Sequence, residues 1–181
     1  MNTDNIKRSD RRDSSDEKEQ LKDIRNILNE ISENENVKLD LEHFTKVSRG
    51  SDSIFIGADG EYHKKNRRKS NPLNGDSKTI DAKARIINTN GDNLDLLFFC
   101  KRTEEAGGSQ DYIMYEIYAF INAIKARNSK MLSSNKEIFI IYLEGGYWAK
   151  RQNLIENIEN LPKNIIFSKK ENLKETIENL L

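Results

Sequence analysis

One cysteine, Cys100, stands among 181 residues. With no second cysteine there is no internal disulfide, and no cysteine or histidine lies near it at zinc-ligand spacing, so structural zinc is not expected and a reducing compartment is. The two histidines, His43 and His63, fall in unrelated contexts, which leaves Ser-His or Cys-His nucleophilic chemistry without support. Charge of one sign is also missing: thirty basic residues balance thirty acidic ones, so any nucleic-acid affinity must come from local patches. No apolar run approaches the roughly 18 to 20 residues that span a bilayer. The N-terminal stretch is polar and of mixed charge, and a soluble, cytoplasmic protein is expected.

What is present is polar overall, with 33% charged against 35% hydrophobic residues, and the apolar residues after Ser51 gather in bounded runs. Residues 1–16 lack apolar periodicity and read as a flexible polar arm. Residues 17–181 then form one domain, with a basic insert at about 58–78. Leu21, Ile24, Ile27, Leu28 and Ile31 recur at helical steps over residues 17–33 and give a charged helix one docking stripe. Ile54 to Ile56 reads as a short strand before an Asp59-Gly60 turn.

Residues 79–87 and 94–101 alternate as strands, and the intervening Asn-Thr-Asn-Gly-Asp-Asn is a hairpin signal. A three-residue loop at Asn90-Gly91-Asp92 sets Asp81 opposite Lys101. It places Ile80, Ala82, Ala84 and Ile86 on the face of Leu96, Phe98 and Cys100. A two-residue loop sets Asp81 against Cys100 and mixes polar with apolar on both faces, so the first register is preferred.

Gly107-Gly108-Ser109 precedes a helix over residues 110–127, with Ser109 as its cap. Residues 136–143 read as an interior strand, 149–161 as a helix, 164–167 as a strand, and Ser168 to Glu171 as a capping box opening the last helix. The fold class is α/β, a central mixed sheet flanked by helices in the order α, β, β, β, α, β, α, β, α. Glu144-Gly145-Gly146 lacks the glycine spacing and lysine of a phosphate loop.

Glu116 is the residue out of place. Its helical-wheel neighbours Tyr112, Ile113, Ala119, Phe120 and Ala123 form the stripe that should meet the sheet. A buried carboxylate must be protonated, paired with a cation such as Lys101, or bound to metal; the bland alternative is that it reaches water at the sheet's end. Asp95 lies about 20 Å along the strand from Lys101, at about 3.4 Å per residue, too far to share its site. The run of Lys64, Lys65, Arg67, Arg68 and Lys69 is either a grip on a nucleic-acid backbone or a solvated loop.

Residues 79–167 resemble the PD-(D/E)XK nucleases, type II restriction endonucleases in particular. The likeness is an Asp strand, a second strand ending in Lys101, the Gly-Gly-Ser turn, a long helix and two further strands. The resemblance implies a restriction-endonuclease-like core and a Mg2+-dependent endonuclease that hydrolyses DNA. Asp81, Glu116 and the Cys100 carbonyl would contact the metal, Lys101 would activate water, and Gln110 would steady the water or a phosphate. It further implies double-stranded DNA held by the basic run and Ser109, a homodimer, and a possible cognate DNA methyltransferase. The family's usual acid two places before the lysine is here Phe99; in one branch that acid comes from the following helix, where Glu116 stands. Two alternatives remain open: a catalytically inactive DNA-binding or assembly module on the same scaffold, and a repair or junction nuclease.

Overall fold

The structure is a computed structural model that describes residues 3–33, 37–45, 53–65, 67–88, 92–103, 110–130, 132, 136–150, 153, 155 and 157–181. Its elements are α1 (Thr3–Ser32), β1 (Val37–Thr45), β2 (Ile54–Ile56), β3 (Tyr62–Lys64), β4 (Ala82–Asn88) and β5 (Asn93–Arg102). There follow α2 (Gln110–Ser129), β6 (Glu137–Glu144), α3 (Gly146–Ala149), β7 (Ile165–Ser168) and α4 (Leu173–Glu178).

Five strands form one mixed sheet in the order β1-β4-β5-β6-β7. The β1–β4 and β4–β5 pairs are antiparallel, and β5–β6 and β6–β7 are parallel. The alternation of β5 and β6 sorts their side chains onto two cores, as a sheet covered on both faces requires. Leu97, Phe99, Phe139, Ile141 and Leu143 meet Ile113, Ile117, Phe120 and Ile124 of α2. On the other face Leu96, Phe98, Cys100, Ile140 and Tyr142 meet Leu21, Ile24, Leu28 and Ile31 of α1, with Leu173 and Ile177 of α4. The expected α/β class with a mixed, helix-flanked sheet is therefore observed.

Several elements differ from the sequence expectation. The first helix extends to Thr3, through the residues read as an arm. The first strand of the main sheet is β1, which was not anticipated, although Val37-Lys38-Leu39-Asp40-Leu41-Glu42 alternates strictly. Its charged half masked the period-2 signal. Ile54–Ile56 instead pairs with Tyr62–Lys64 in a separate two-stranded sheet, around the Asp59-Gly60 turn, where Gly60 adopts φ +79°. A Cβ at Gly60 would lie 2.5 Å from the Arg127 backbone nitrogen, so the turn needs glycine for both reasons.

The hairpin register is neither of those considered. Arg85 pairs with Asp95 and Lys83 with Leu97, a two-residue slip from the favoured register, so Asp81 does not lie opposite Lys101. Hydrophobic alternation fixes only the parity of a register, and a two-residue slip preserves it. Asp95 selects among the remaining choices: it accepts from Arg85 Nε at 2.7 Å and pairs with Lys83 Nζ at 2.8 Å. Ile80 also leaves its expected face, because its amide bonds to the Ile54 carbonyl at 2.9 Å and the side chain joins the α2 core.

Of the helix expected over residues 149–161, Ala149 closes α3, Asn153 and Ile155 are helical, and residues 157–161 are turn and irregular chain. Residues 151, 152, 154 and 156 lie outside the described residues. The Ser168 capping box does not form: its hydroxyl contacts the Lys169 carbonyl and Thr176 Oγ1, and a 3-10 turn precedes α4.

Candidate active site at the end of β5

The end of β5 carries a run of residues held from three directions. Strand residues two apart are separated by about 6.7 Å, and helix residues four apart by about 6 Å, so matched rungs form where α2 crosses β5. The inner rung is Phe99 stacked on Phe120, ring centroids 4.9 Å apart and planes 27° apart. The outer rung is Lys101 with Glu116, Nζ donating to Oε2 at 3.0 Å.

Glu116 is 6% exposed, within the helix face of Ile113, Ile117 and Phe120. Its carboxylate does not reach past the sheet to water; it faces the Lys101 ammonium, whose side chain is 21% exposed. Tyr112, expected on the same stripe, is exposed.

Asp81 lies one residue before β4 and is 3% exposed. Its Oδ2 accepts from the Cys100 backbone N–H at 2.7 Å, which anchors the carboxylate beside the residue that precedes Lys101. Cys100 thus takes part through its amide, and its thiol is buried in the α1 core. Gln110 is the first residue of α2; its side chain, Ser109, and the glycines before them lie outside the described residues. Asp95 stands at the other end of β5. Burial alone would push its carboxyl up, but hydrogen bonds from Arg85 and Lys83 outweigh this and hold it below the usual carboxylate range.

Among the described residues, no group of three or more His, Cys, Asp or Glu side chains is placed to hold a metal ion. Mg2+ needs less than that: one or two carboxylates, with waters and substrate phosphate oxygens completing the shell. Asp81 and Glu116 are oxygen donors of that kind, and Glu104 and Glu105 lie outside the described residues.

The basic insert is more built than a solvated loop. Asp76, 1% exposed, accepts from Arg68 Nη2 at 2.7 Å, from the Ala58 amide at 3.0 Å and from the Asn71 amide at 3.2 Å. Arg68 is therefore committed to the insert's own architecture, while Lys64, Lys65, Arg67 and Lys69 are exposed. A second knot ties the insert to the sheet: Arg127 donates to Glu137 at 2.9 and 3.1 Å and to the Gly60 carbonyl at 3.2 Å, and its guanidinium lies 4.0 Å from the Tyr62 ring centroid. The second knot was not anticipated from sequence, because Gly60 and Arg127 are 67 positions apart and no local pattern links them.

No protein-family model, curated protein or solved structure matches the chain. No helix among the described residues is long and apolar enough to cross a membrane.

Proposed function

We propose that the chain is a Mg2+-dependent endonuclease of the restriction-endonuclease-like class, hydrolysing phosphodiester bonds of double-stranded DNA. The observation that carries this is the 3.0 Å contact between Lys101 and Glu116, one residue along from an amide that holds Asp81. The sequence resemblance required a second acid from the helix after the lysine. The order α1, β1, β4, β5, α2, β6, with two antiparallel pairs followed by a parallel one, supports the same core.

In this proposal the Cys100 amide fixes the Asp81 carboxylate, and Glu116 orients Lys101 at the mouth of the α2 face. Lys101 would donate a hydrogen bond to the attacking water or to a non-bridging phosphate oxygen, stabilising charge as it develops. Mg2+, held by Asp81 and Glu116 with the Cys100 carbonyl as a further contact, would polarise the phosphate and lower the pKa of a bound water. Gln110 would steady the water or a flanking phosphate. Lys64, Lys65, Arg67 and Lys69 would follow the DNA backbone, a contact that weakens with salt. A homodimer would supply one site per strand, and a cognate methyltransferase would protect the host's own sites.

Phe99 favours a second reading. Fully buried and stacked on Phe120, it leaves no acid at the family's usual position, as in a scaffold that binds DNA without cutting it. Cleavage of supercoiled plasmid with and without Mg2+ separates the two. Asp81→Asn, which keeps a hydrogen-bond acceptor for Cys100, and Lys101→Ala are each expected to abolish cleavage with the fold intact. Salt-sensitive binding with no metal-dependent cleavage by the parent protein would establish the non-catalytic scaffold. Comparing circular, linear and branched DNA identifies a junction nuclease.

A further inference from the structure

Three tyrosines of α2, Tyr112, Tyr115 and Tyr118, are exposed at 46%, 58% and 44%, although that helix buries most of its circumference. Three residues of helix advance about 4.5 Å and turn by about 60°, so the rings follow one another along the first half of α2. Asn122 continues the exposed strip. Tyr112 stands one turn, about 6 Å, before Glu116. A single exposed aromatic residue is ordinary. A row of three, none with a hydrogen-bond or ring partner among the described residues, is an apolar patch at the border of the Lys101–Glu116 site.

The charge that borders the same site from the insert is of one sign. A 3-10 turn at Pro72–Asn74 and strand β2 pack the insert against α2. Lys64, Lys65, Arg67 and Lys69 are exposed and make no ion pair among the described residues. The insert's acids are occupied or distant: Asp76 is held by Arg68 and two amides, and both Asp59 oxygens lie 3.0 Å from His63 Nε2. Glu61 follows the Asp59-Gly60 turn, at the hairpin's closed end. The open end is moored beside Asp81. Lys64 pairs with Ile54, the Lys65 amide donates to the Ser53 carbonyl at 2.8 Å, and the Ile80 amide donates to the Ile54 carbonyl at 2.9 Å. Two steps of about 4.8 Å put the Lys64 backbone roughly 10 Å from Ile80, the residue before Asp81.

An occupant of this surface must offer flat faces to the rings and negative charge to the cations. A second copy of the chain would set these cations against their own kind. The three half-exposed tyrosines also offer only roughly 300 Å², against about 800 Å² per partner in a stable dimer. Intact duplex supplies phosphates but keeps its bases stacked on one another. A single strand supplies both, since its bases can stack on aromatic side chains while its backbone follows positive charge.

We propose that Tyr112, Tyr115 and Tyr118 are a stacking platform for the bases of a single-stranded DNA segment whose backbone runs over Lys64 and Lys65. The choice of DNA over RNA rests on the nuclease reading of the adjoining Lys101 site. The platform makes the substrate a DNA that is single-stranded beside the bond to be cut, as at a gap, a flap or a junction.

The full chain is titrated, in chelator so that nothing is cut, into dye-labelled oligothymidylate, a duplex of the same length, and an abasic deoxyribose-phosphate oligomer of that length, with anisotropy as the readout. Oligothymidylate is expected to bind about tenfold or more tightly than either of the others. Tyr115→Ala combined with Tyr118→Ala should weaken that binding by about tenfold or more, whereas phenylalanine at both positions retains it, because the ring carries the contact. Both positions are exposed, so the fold tolerates these changes. Lys64→Gln combined with Lys65→Gln should weaken binding and flatten its salt dependence. Equal affinity for the abasic oligomer, equal or tighter binding of duplex, or undiminished binding by the alanine variant overturns the proposal. Self-association of the parent that the alanine variant abolishes also overturns it, and makes a second copy the occupant. Mg2+-dependent cleavage assayed on the same preparation separates the two failures. Cleavage without a preference for single strands removes the platform alone, and base-dependent single-strand binding without cleavage of any DNA removes the nuclease chemistry alone.

Discussion

Glu116 sits in a helix face that has no other use for a charge. Flanked by Ile113, Ile117 and Phe120 and 6% exposed, it is tolerated because Lys101 meets it at 3.0 Å. Removing one partner of a buried pair leaves an uncompensated charge, whereas replacing both with apolar residues is often neutral or stabilising. Lys101→Met is therefore expected to lower unfolding free energy by about 1–3 kcal/mol, less than for a fully buried pair because Lys101 reaches some water. Lys101→Met combined with Glu116→Leu should recover most of that loss in denaturant unfolding. A double variant less stable than the single one would mean that the pair contributes net stability and needs no functional reason to be there. The importance of Glu116 was legible in sequence because a carboxylate inside an apolar stripe is rare. The role of Phe99 was half legible: its lack of a carboxylate was plain, while its partner Phe120 depends on how α2 lies across β5.

The elements were legible where periodicity is strong and illegible where it competes with charge. α2, β5 and β6 emerge within two residues of expectation, because each is a long apolar pattern with one period. β1 was missed, since Lys38, Asp40 and Glu42 give it the composition of a loop despite its alternation. The β4–β5 hairpin shows a finer limit. Its faces follow from the sequence, but the slip from one register to the next of equal parity is decided by Asp95 with Arg85 and Lys83. Asp95→Asn should thus destabilise the protein by about 1 kcal/mol at neutral pH. Its sign with pH follows from the depressed carboxyl: the stabilisation is complete above the ordinary value of 3.8 and is lost as pH falls through the lower folded value. Parent and variant should accordingly converge in stability only as pH falls below 3.8 and through that lower folded value in acid unfolding. The insert is fixed in the same way, by long-range pairs. Glu137→Gln leaves the Arg127 guanidinium buried without its counter-charge and is expected to cost about 3–5 kcal/mol in denaturant unfolding.

At the scale of the whole molecule, a neutral chain presents its chemistry by position. The mixed sheet brings the end of β5, the end of β6 and the first half of α2 to one edge. The exposed cations of the insert are carried on a hairpin bolted to α2 and β6 through Arg127 and Glu137. Composition could not have revealed this, because thirty charges of each sign cancel in any average. The most direct test is the rate at which supercoiled plasmid is nicked or linearised by the parent protein and by Glu116→Gln, each with Mg2+ and with chelator. Cleavage by the parent only with Mg2+, and slowing by about a hundredfold or more in the variant, is the predicted result. Equal rates for the two proteins, or cleavage indifferent to chelator, would contradict a metal site built from Asp81 and Glu116 beside Lys101.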